Sequence, residues 1–102
     1  MHLFHLEFAE TALEDLERLY AFYMRIDPAV AEYAQATIES AFQTLRRHPT
    51  ICRKAQQGDL GPAWRELIIN FGNSGYVALF EMVGADTIYV VAVRHQRESD
   101  YH

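Results

Sequence analysis

Arg65, Arg94, His95 and Arg97 are the side chains of this 102-residue sequence whose types suit joint chemistry. Arginine offers a planar fork of donors that fits a phosphate or carboxylate, and a guanidinium can stabilise the charge that develops on a phosphorane-like transition state. An imidazole beside such a group could give or take a proton near neutral pH. Tyr101 adds a phenol near the end of the chain. Roughly thirty residues separate Arg65 from Arg94, so only pairing of strands could bring them together. The same types also suit structural ion pairs, with Arg65 or Arg97 facing Glu66, Glu98 or Asp100, and residue type alone does not choose between the two.

Other reactive groups form no recognisable constellation. His2 and His5, three apart on an extended segment, point to opposite faces. His48, His95 and His102 are scattered, and no pair has the helical spacing of a zinc motif. No metal or cofactor is expected, and the chain has neither a G-x-S-x-G elbow nor a phosphate-cradling glycine loop. Cys52 precedes Arg53 and Lys54, whose charge would lower a thiol pKa, yet a loop thiol without a task is the simpler expectation. The carboxylates near residues 14 to 17 suit a solvated helix face.

The elements that must position these residues follow from periodicity. Residues 2 to 8, HLFHLEF, alternate as a short strand does. Thr11 and Glu14 have the capping-box spacing, and Leu13, Leu16, Leu19, Tyr20 and Tyr23 then recur at helical intervals, which predicts a helix over 12–25. Asp27-Pro28 reads as an N-cap and first-turn pair. Val30, Ala34, Ile38, Ala41 and Leu45 carry a second helix to about Arg47, with Arg46 and Arg47 in its last turn and Pro49 forbidding continuation. Residues 49 to 63, with Pro49, Gly58, Gly61 and Pro62, predict an exposed loop. WRELIINF, GYVALFEMV and TIYVVAVR then read as strands joined by turns at 73–75 and 84–86. The expected fold is α+β: an N-terminal strand at a sheet edge, then an antiparallel two-helix hairpin packed on a C-terminal three-stranded antiparallel meander whose last strand is interior.

At this length one domain is expected, able to bury roughly 60–70% of its extended surface without disulfides. A single cysteine and no membrane-spanning apolar run lead to the expectation of a cytoplasmic protein without a membrane partner. The net charge of -5 is unevenly spread. Residues 1 to 45 hold eight acids against two bases, residues 46 to 65 hold five bases against one acid, and the remainder is again acidic. A protein that lives on phosphate contacts usually needs a broad basic surface, because each neutralised phosphate adds affinity through counterion release.

Taken in order, Ala12-x-x-Asp15-Leu16-x-x-Leu19, Leu45 with Pro49, Arg65-Glu66-Leu67, Gly75-Tyr76 and the closing Val93-Arg94-His95-Gln96-Arg97-Glu98 resemble the RelE/ParE superfamily of type II toxins, nearest to ParE-like plasmid stabilisation proteins. The resemblance implies a growth-arresting toxin neutralised by a cognate antitoxin, with operator DNA reached only through that antitoxin. RelE-like members cleave mRNA on the ribosome; characterised ParE-like members poison DNA gyrase. The ribonuclease pattern has basic residues on the strand before the glycine-tyrosine turn and an arginine after that tyrosine. Here the strand is Leu67-Ile68-Ile69-Asn70-Phe71 and Val77 follows Tyr76. The resemblance therefore favours a protein-binding toxin directed at gyrase, for which Arg65, Arg94, His95, Arg97 and Tyr101 are target-binding candidates. The alternative is a ribosome-dependent endoribonuclease with Arg65, Arg94, His95 and Arg97 as its catalytic set. Tyr20, Tyr23 and Phe42 are the candidates for antitoxin contact on the hairpin's exposed apolar surface.

Overall fold

In the computed structural model, residues 3–55, 61, 63–72 and 74–95 are described. The chain forms β1 (His5–Phe8), α1 (Glu10–Ile26), α2 (Pro28–Leu45), a turn of 3-10 helix at Pro49–Ile51, β2 (Arg53–Lys54), β3 (Trp64–Phe71), β4 (Ser74–Val83) and β5 (Thr87–His95). The sheet has five strands in the order β1-β5-β4-β3-β2. The C-terminal meander is antiparallel as expected, whereas β1 lies parallel to β5, with His5 opposite Thr87 and Phe8 opposite Val90. β5 is thus interior and β1 is an edge.

Both hairpins have short connections. Phe71 pairs with Ser74 and Val83 with Thr87, and the first residue of each connection, Gly72 and Gly84, takes the left-handed backbone (φ 59 and 65) that glycine adopts without steric cost. The loop expected over 49–63 is not wholly irregular. Arg53 and Lys54 add a two-residue strand to β3, which the hydrophobic pattern could not reveal because both side chains are polar and exposed.

One face of the sheet carries the helical hairpin. Leu67, Ile69, Tyr76, Ala78, Phe80, Ile88, Val90 and Val93 pack against Ala12 of α1 and Ile38, Phe42 and Leu45 of α2. Asp27 caps α2 as its type predicts, accepting a hydrogen bond from the Ala29 amide at 3.0 Å. The α2 terminus differs from the expected one. The helix ends at Leu45, and Arg46, as its C-cap, points its guanidinium Nε at the Phe4 carbonyl (3.1 Å) while the Phe4 amide donates to the Arg46 carbonyl (2.8 Å). Arg46 thereby ties the start of the chain to the end of α2.

At α1 the structure departs furthest from the pattern. The N-cap is Ala9, without a side-chain cap bond, and Thr11 instead donates to the Val91 carbonyl at 2.7 Å. Leu79 pairs with Ala92 and Phe80 with Val90, so Val91 is the extra residue of a bulge in β5. β1 pairs with β5 only as far as Val90, and past that point the edge of β5 would leave backbone groups without partners. Thr11 serves the Val91 carbonyl; Asp15, one helical turn on, accepts from the Val93 amide at 2.9 Å. Asp15 is therefore buried rather than solvated, and Leu13, expected in the apolar stripe, is 53% exposed. The inward face of α1 runs through Ala12, Asp15, Leu16, Leu19 and Tyr23 because the helix must reach the open edge of β5 as well as the core.

Candidate functional site

Where α1 outruns β1, a cleft of about 370 Å³ opens between the last turns of the helix and the ends of β4 and β5. Its floor is Tyr76, Val93 and His95, and its wall is Leu19, Phe22 and Tyr23. Asp15, Arg18 and Arg25 complete the lining. The cleft exists because strand alternation turns Val93 and His95, but not Arg94, toward the helices, and helical spacing brings Leu19, Phe22 and Tyr23 over them.

A run of aromatic rings closes this end of the molecule. Phe22 meets Tyr23 at 5.4 Å between ring centroids, Tyr23 meets Phe71 at 5.5 Å, and Tyr33 of α2 meets Phe71 at 5.2 Å. Tyr76 continues the run, with Phe71 at 6.2 Å and the His95 ring edge-on at 5.5 Å. The Tyr23 and Tyr76 hydroxyls hydrogen-bond to each other, so two phenols are held against the floor with their polar tips satisfied. Phe22 and Tyr33 stay exposed at 51% and 63%, an arrangement that leaves apolar surface at the rim.

The charges are unequal in freedom. Asp15 is fully engaged, one carboxylate oxygen on the Val93 amide and the other on Arg18 at 2.8 Å. Arg25, in the last turn of α1 where the helix carbonyls favour a cation, makes no hydrogen bond or ion pair among the described residues. The cleft thus pairs an apolar slot with an unengaged cation inside a chain of net charge -5. Such a site suits binding; among the described residues no group of three His, Cys, Asp or Glu side chains could hold a metal ion.

Of the expected basic set, the described members Arg65, Arg94 and His95 do not come together. Arg65 Nη1 donates to the carbonyls of Cys52 (2.8 Å) and Thr50 (3.3 Å), fastening the 49–52 turn to β3. Arg65 pairs with Phe80 and His95 with Tyr76, four residues further back along β4, so roughly 13 Å of strand separates the two pairs. Arg94, between Val93 and His95, faces the other side of the sheet. The acid beside Arg65 has a different partner from the one considered: Glu66, buried, accepts from Arg53 Nε at 2.8 Å. Arg97 and Tyr101, with Glu98, Asp100 and His102, lie outside the described residues.

Of the hairpin candidates, Tyr23 lines the cleft and Tyr20 is half-buried, its phenol pKa pushed up first by burial and then by the Glu39 carboxylate. Phe42 is a correction. It is 4% exposed, its ring edge-on to Phe8 at 5.1 Å, because α2 turns this position down onto β1. Cys52 is another: burial pushes its thiol pKa up, and the opposing influence of Arg65 is smaller. Sequence reasoning missed Arg18, Phe22 and Arg25 as site residues. The available signal was their spacing, since positions 18, 22 and 25 recur at four and three and share one helix face.

The sequence profile described as ParE toxin of type II toxin-antitoxin system, parDE, matches residues 6–100. The chain belongs to the ParE toxin family. It is 30% identical over 87 residues to Toxin RelE1 of Caulobacter vibrioides, an alignment spanning 85% of this chain and 87% of that protein. Among solved structures, the chromosomal ParDE system of P. aeruginosa superposes with a TM-score of 0.67 at 19% identity, covering 93% of this chain and 98% of that one. The RelBE2 toxin-antitoxin complex of Mycobacterium tuberculosis gives 0.62 at 23% identity, covering 92% and 99%. These two share the fold: two helices against a multi-stranded sheet. As a ParE-family toxin the chain is one half of a toxin-antitoxin pair, which implies a cognate antitoxin. No described helix is long and apolar enough to cross a membrane.

Proposed function

We propose that this ParE-family chain arrests growth in the cytoplasm by binding a target protein, DNA gyrase, rather than by cutting RNA, and that its antitoxin relieves the arrest. One observation carries the reading: among the described residues, Arg65, Arg94 and His95, which an RNA-cleaving site would use, do not converge. Arg65 is engaged with two backbone carbonyls at the β2 side of the sheet, while Arg94 and His95 alternate onto opposite faces of β5. Phosphoryl transfer needs the proton-moving group and the charge-stabilising groups around one reacting phosphate, within hydrogen-bond reach. Val77, where the ribonuclease pattern has arginine, is 5% exposed and offers no cation. The chain's negative total charge also argues against reliance on ribosomal phosphates.

The test couples two assays on the purified chain. Gyrase supercoiling is expected to be inhibited, with accumulation of a cleaved DNA complex, and translated messages are expected to remain intact by primer extension. Unchanged supercoiling with no cleaved complex rules out gyrase. Codon-specific cuts on translated message establish the endoribonuclease instead.

A further inference from the structure

β1 is an edge strand with an open outer side, and the groups along that side are arranged to pair with themselves. We infer that two copies of this chain associate through β1, antiparallel across a two-fold axis at Glu7, which joins their five-stranded sheets into one. The inference concerns the chain by itself and does not depend on gyrase as the target.

Backbone direction singles out this edge. The amides of His5 and Ala9 donate inward, to the carbonyls of Asp86 and Val90, so strand alternation turns the amides and carbonyls of Leu6 and Phe8 outward. Among the described residues those outward groups have no hydrogen-bond partner. The opposite edge, β2, is blunted by Arg53 and Lys54, both exposed, whereas β1 offers a plain strand.

The positions of these groups then select the occupant. In an antiparallel pair centred on Glu7, Leu6 faces Phe8 of the second copy and Phe8 faces its Leu6, so every outward amide finds an outward carbonyl. A pair centred on Leu6 instead would set Phe8 against Phe4, whose amide is already on the Arg46 carbonyl. A longer strand would also meet Arg46 there, so the opening fits a strand as short as β1 itself.

The side chains agree with that pairing. Leu6 and Phe8 pack toward the helices and line a groove of about 450 Å³ with Ala36, Glu39, Ser40 and Gln43 of α2, into which Leu6 and Phe8 of the second copy would turn. At each end Phe4, with the Arg46 guanidinium on its carbonyl, comes opposite the second copy's Glu10, which is exposed in the first turn of α1. Opposite charges meet at both ends. At the axis the two Glu7 carboxylates face each other, each with its own His5 Nε2 at 3.0 Å, and that like-charge contact keeps the association modest. The cleft between α1 and β5 is lined by no residue of β1 or α2, so the pair carries both clefts uncovered.

Sedimentation velocity of the purified full chain over a wide range of concentration should show a monomer–dimer equilibrium with a micromolar dissociation constant. Glu7→Gln, which removes the like-charge contact, should tighten it about threefold. Glu10→Arg, which sets two cations together at each end, should weaken it about tenfold. Cross-linking reads the register. In a Cys52→Ser background, Glu7→Cys should give a disulfide dimer on mild oxidation, because a non-hydrogen-bonded pair brings its Cα atoms to about 4.5 Å and a disulfide spans roughly 4.4–6.8 Å. His5→Cys should not, since its two copies would stand about 13 Å apart along the strands. Both positions are exposed, so the substitutions leave the core intact, and circular dichroism checks each fold. A chain that stays monomeric at every concentration overturns the proposal. So does a dimer whose affinity neither Glu7→Gln nor Glu10→Arg changes by more than twofold, or cross-linking at His5→Cys equal to that at Glu7→Cys. Supercoiling plays no part in these readouts, so failure of the gyrase reading and failure of this one are separate results.

Discussion

Cys52 shows how far a side chain's chemistry depends on what covers it. Beside Arg53 and Lys54 in sequence, its thiol would be expected to ionise early. In the fold it is partly buried, and loss of water around a thiolate outweighs the Arg65 guanidinium, so its pKa is raised above the ordinary 9.0. Alkylation by iodoacetamide at pH 7.5 should therefore be slower than for the same thiol in the unfolded chain, a comparison mass spectrometry can make directly. The sign of the linked stability follows. With the folded pKa above the unfolded one, the contribution is complete below pH 9.0 and fades as pH rises past it, because the unfolded chain gives up its proton first. A Cys52→Ser variant should lose that part of the alkaline dependence of the unfolding midpoint.

At the scale of elements, the contact between α1 and β5 decides the local architecture. β1 stops at Phe8, β5 bulges at Val91, and the helix fills the gap with two side chains, Thr11 and Asp15. A hydrogen bond to a charged group contributes about 1.5–3 kcal/mol and an ordinary one about 0.5–1.5 kcal/mol. Asp15→Ala should accordingly destabilise the fold by about 2–3 kcal/mol, since it leaves the Val93 amide buried and unpaired and also frees Arg18. Thr11→Val should cost about 1 kcal/mol. Urea unfolding of the two variants checks the order, and a loss at Thr11 equal to that at Asp15 would show that burial of the carboxylate, not its bond, sets the cost. The helical hairpin and meander were legible because their periods of 3.6 and 2 differ plainly in the sequence. The capping box was not realised because the helix begins earlier, with Ala9 as its N-cap, and the Thr11 hydroxyl donates to the Val91 carbonyl across the chain rather than accepting from the amide three residues on.

For the whole molecule, the question is what the scattered arginines do. Arg65 is a brace between β3 and the 49–52 turn, so removing it should loosen the structure without touching the cleft. Arg65→Ala is expected to lower the melting temperature by about 4–8 °C per kcal/mol lost, about 1–2 kcal/mol in all. Growth arrest at a temperature well below melting should be retained. Abolished arrest in a stably folded Arg65→Ala protein would favour the catalytic alternative. The basic cluster read along residues 46 to 65 likewise breaks up in three dimensions. Arg46 holds Phe4, Arg53 holds Glu66 and Arg65 holds carbonyls, so three of the five cations of that stretch are committed to contacts within the fold.

The amino-acid sequence alone determined the kinds of element and their order, since each depends on short-range terms: hydrophobic period, the Asp27 cap, the proline at 49 and the glycines at 72 and 84. Order in turn carried the family resemblance. Tertiary structure alone decided which side chains meet. Whether β1 ran parallel or antiparallel to β5, where the bulge fell and how far α1 overshot β1 are set by long-range backbone satisfaction, which leaves no trace in local spacing. Those choices buried Asp15 and opened the cleft in which Arg25, Phe22 and the two tyrosines stand together.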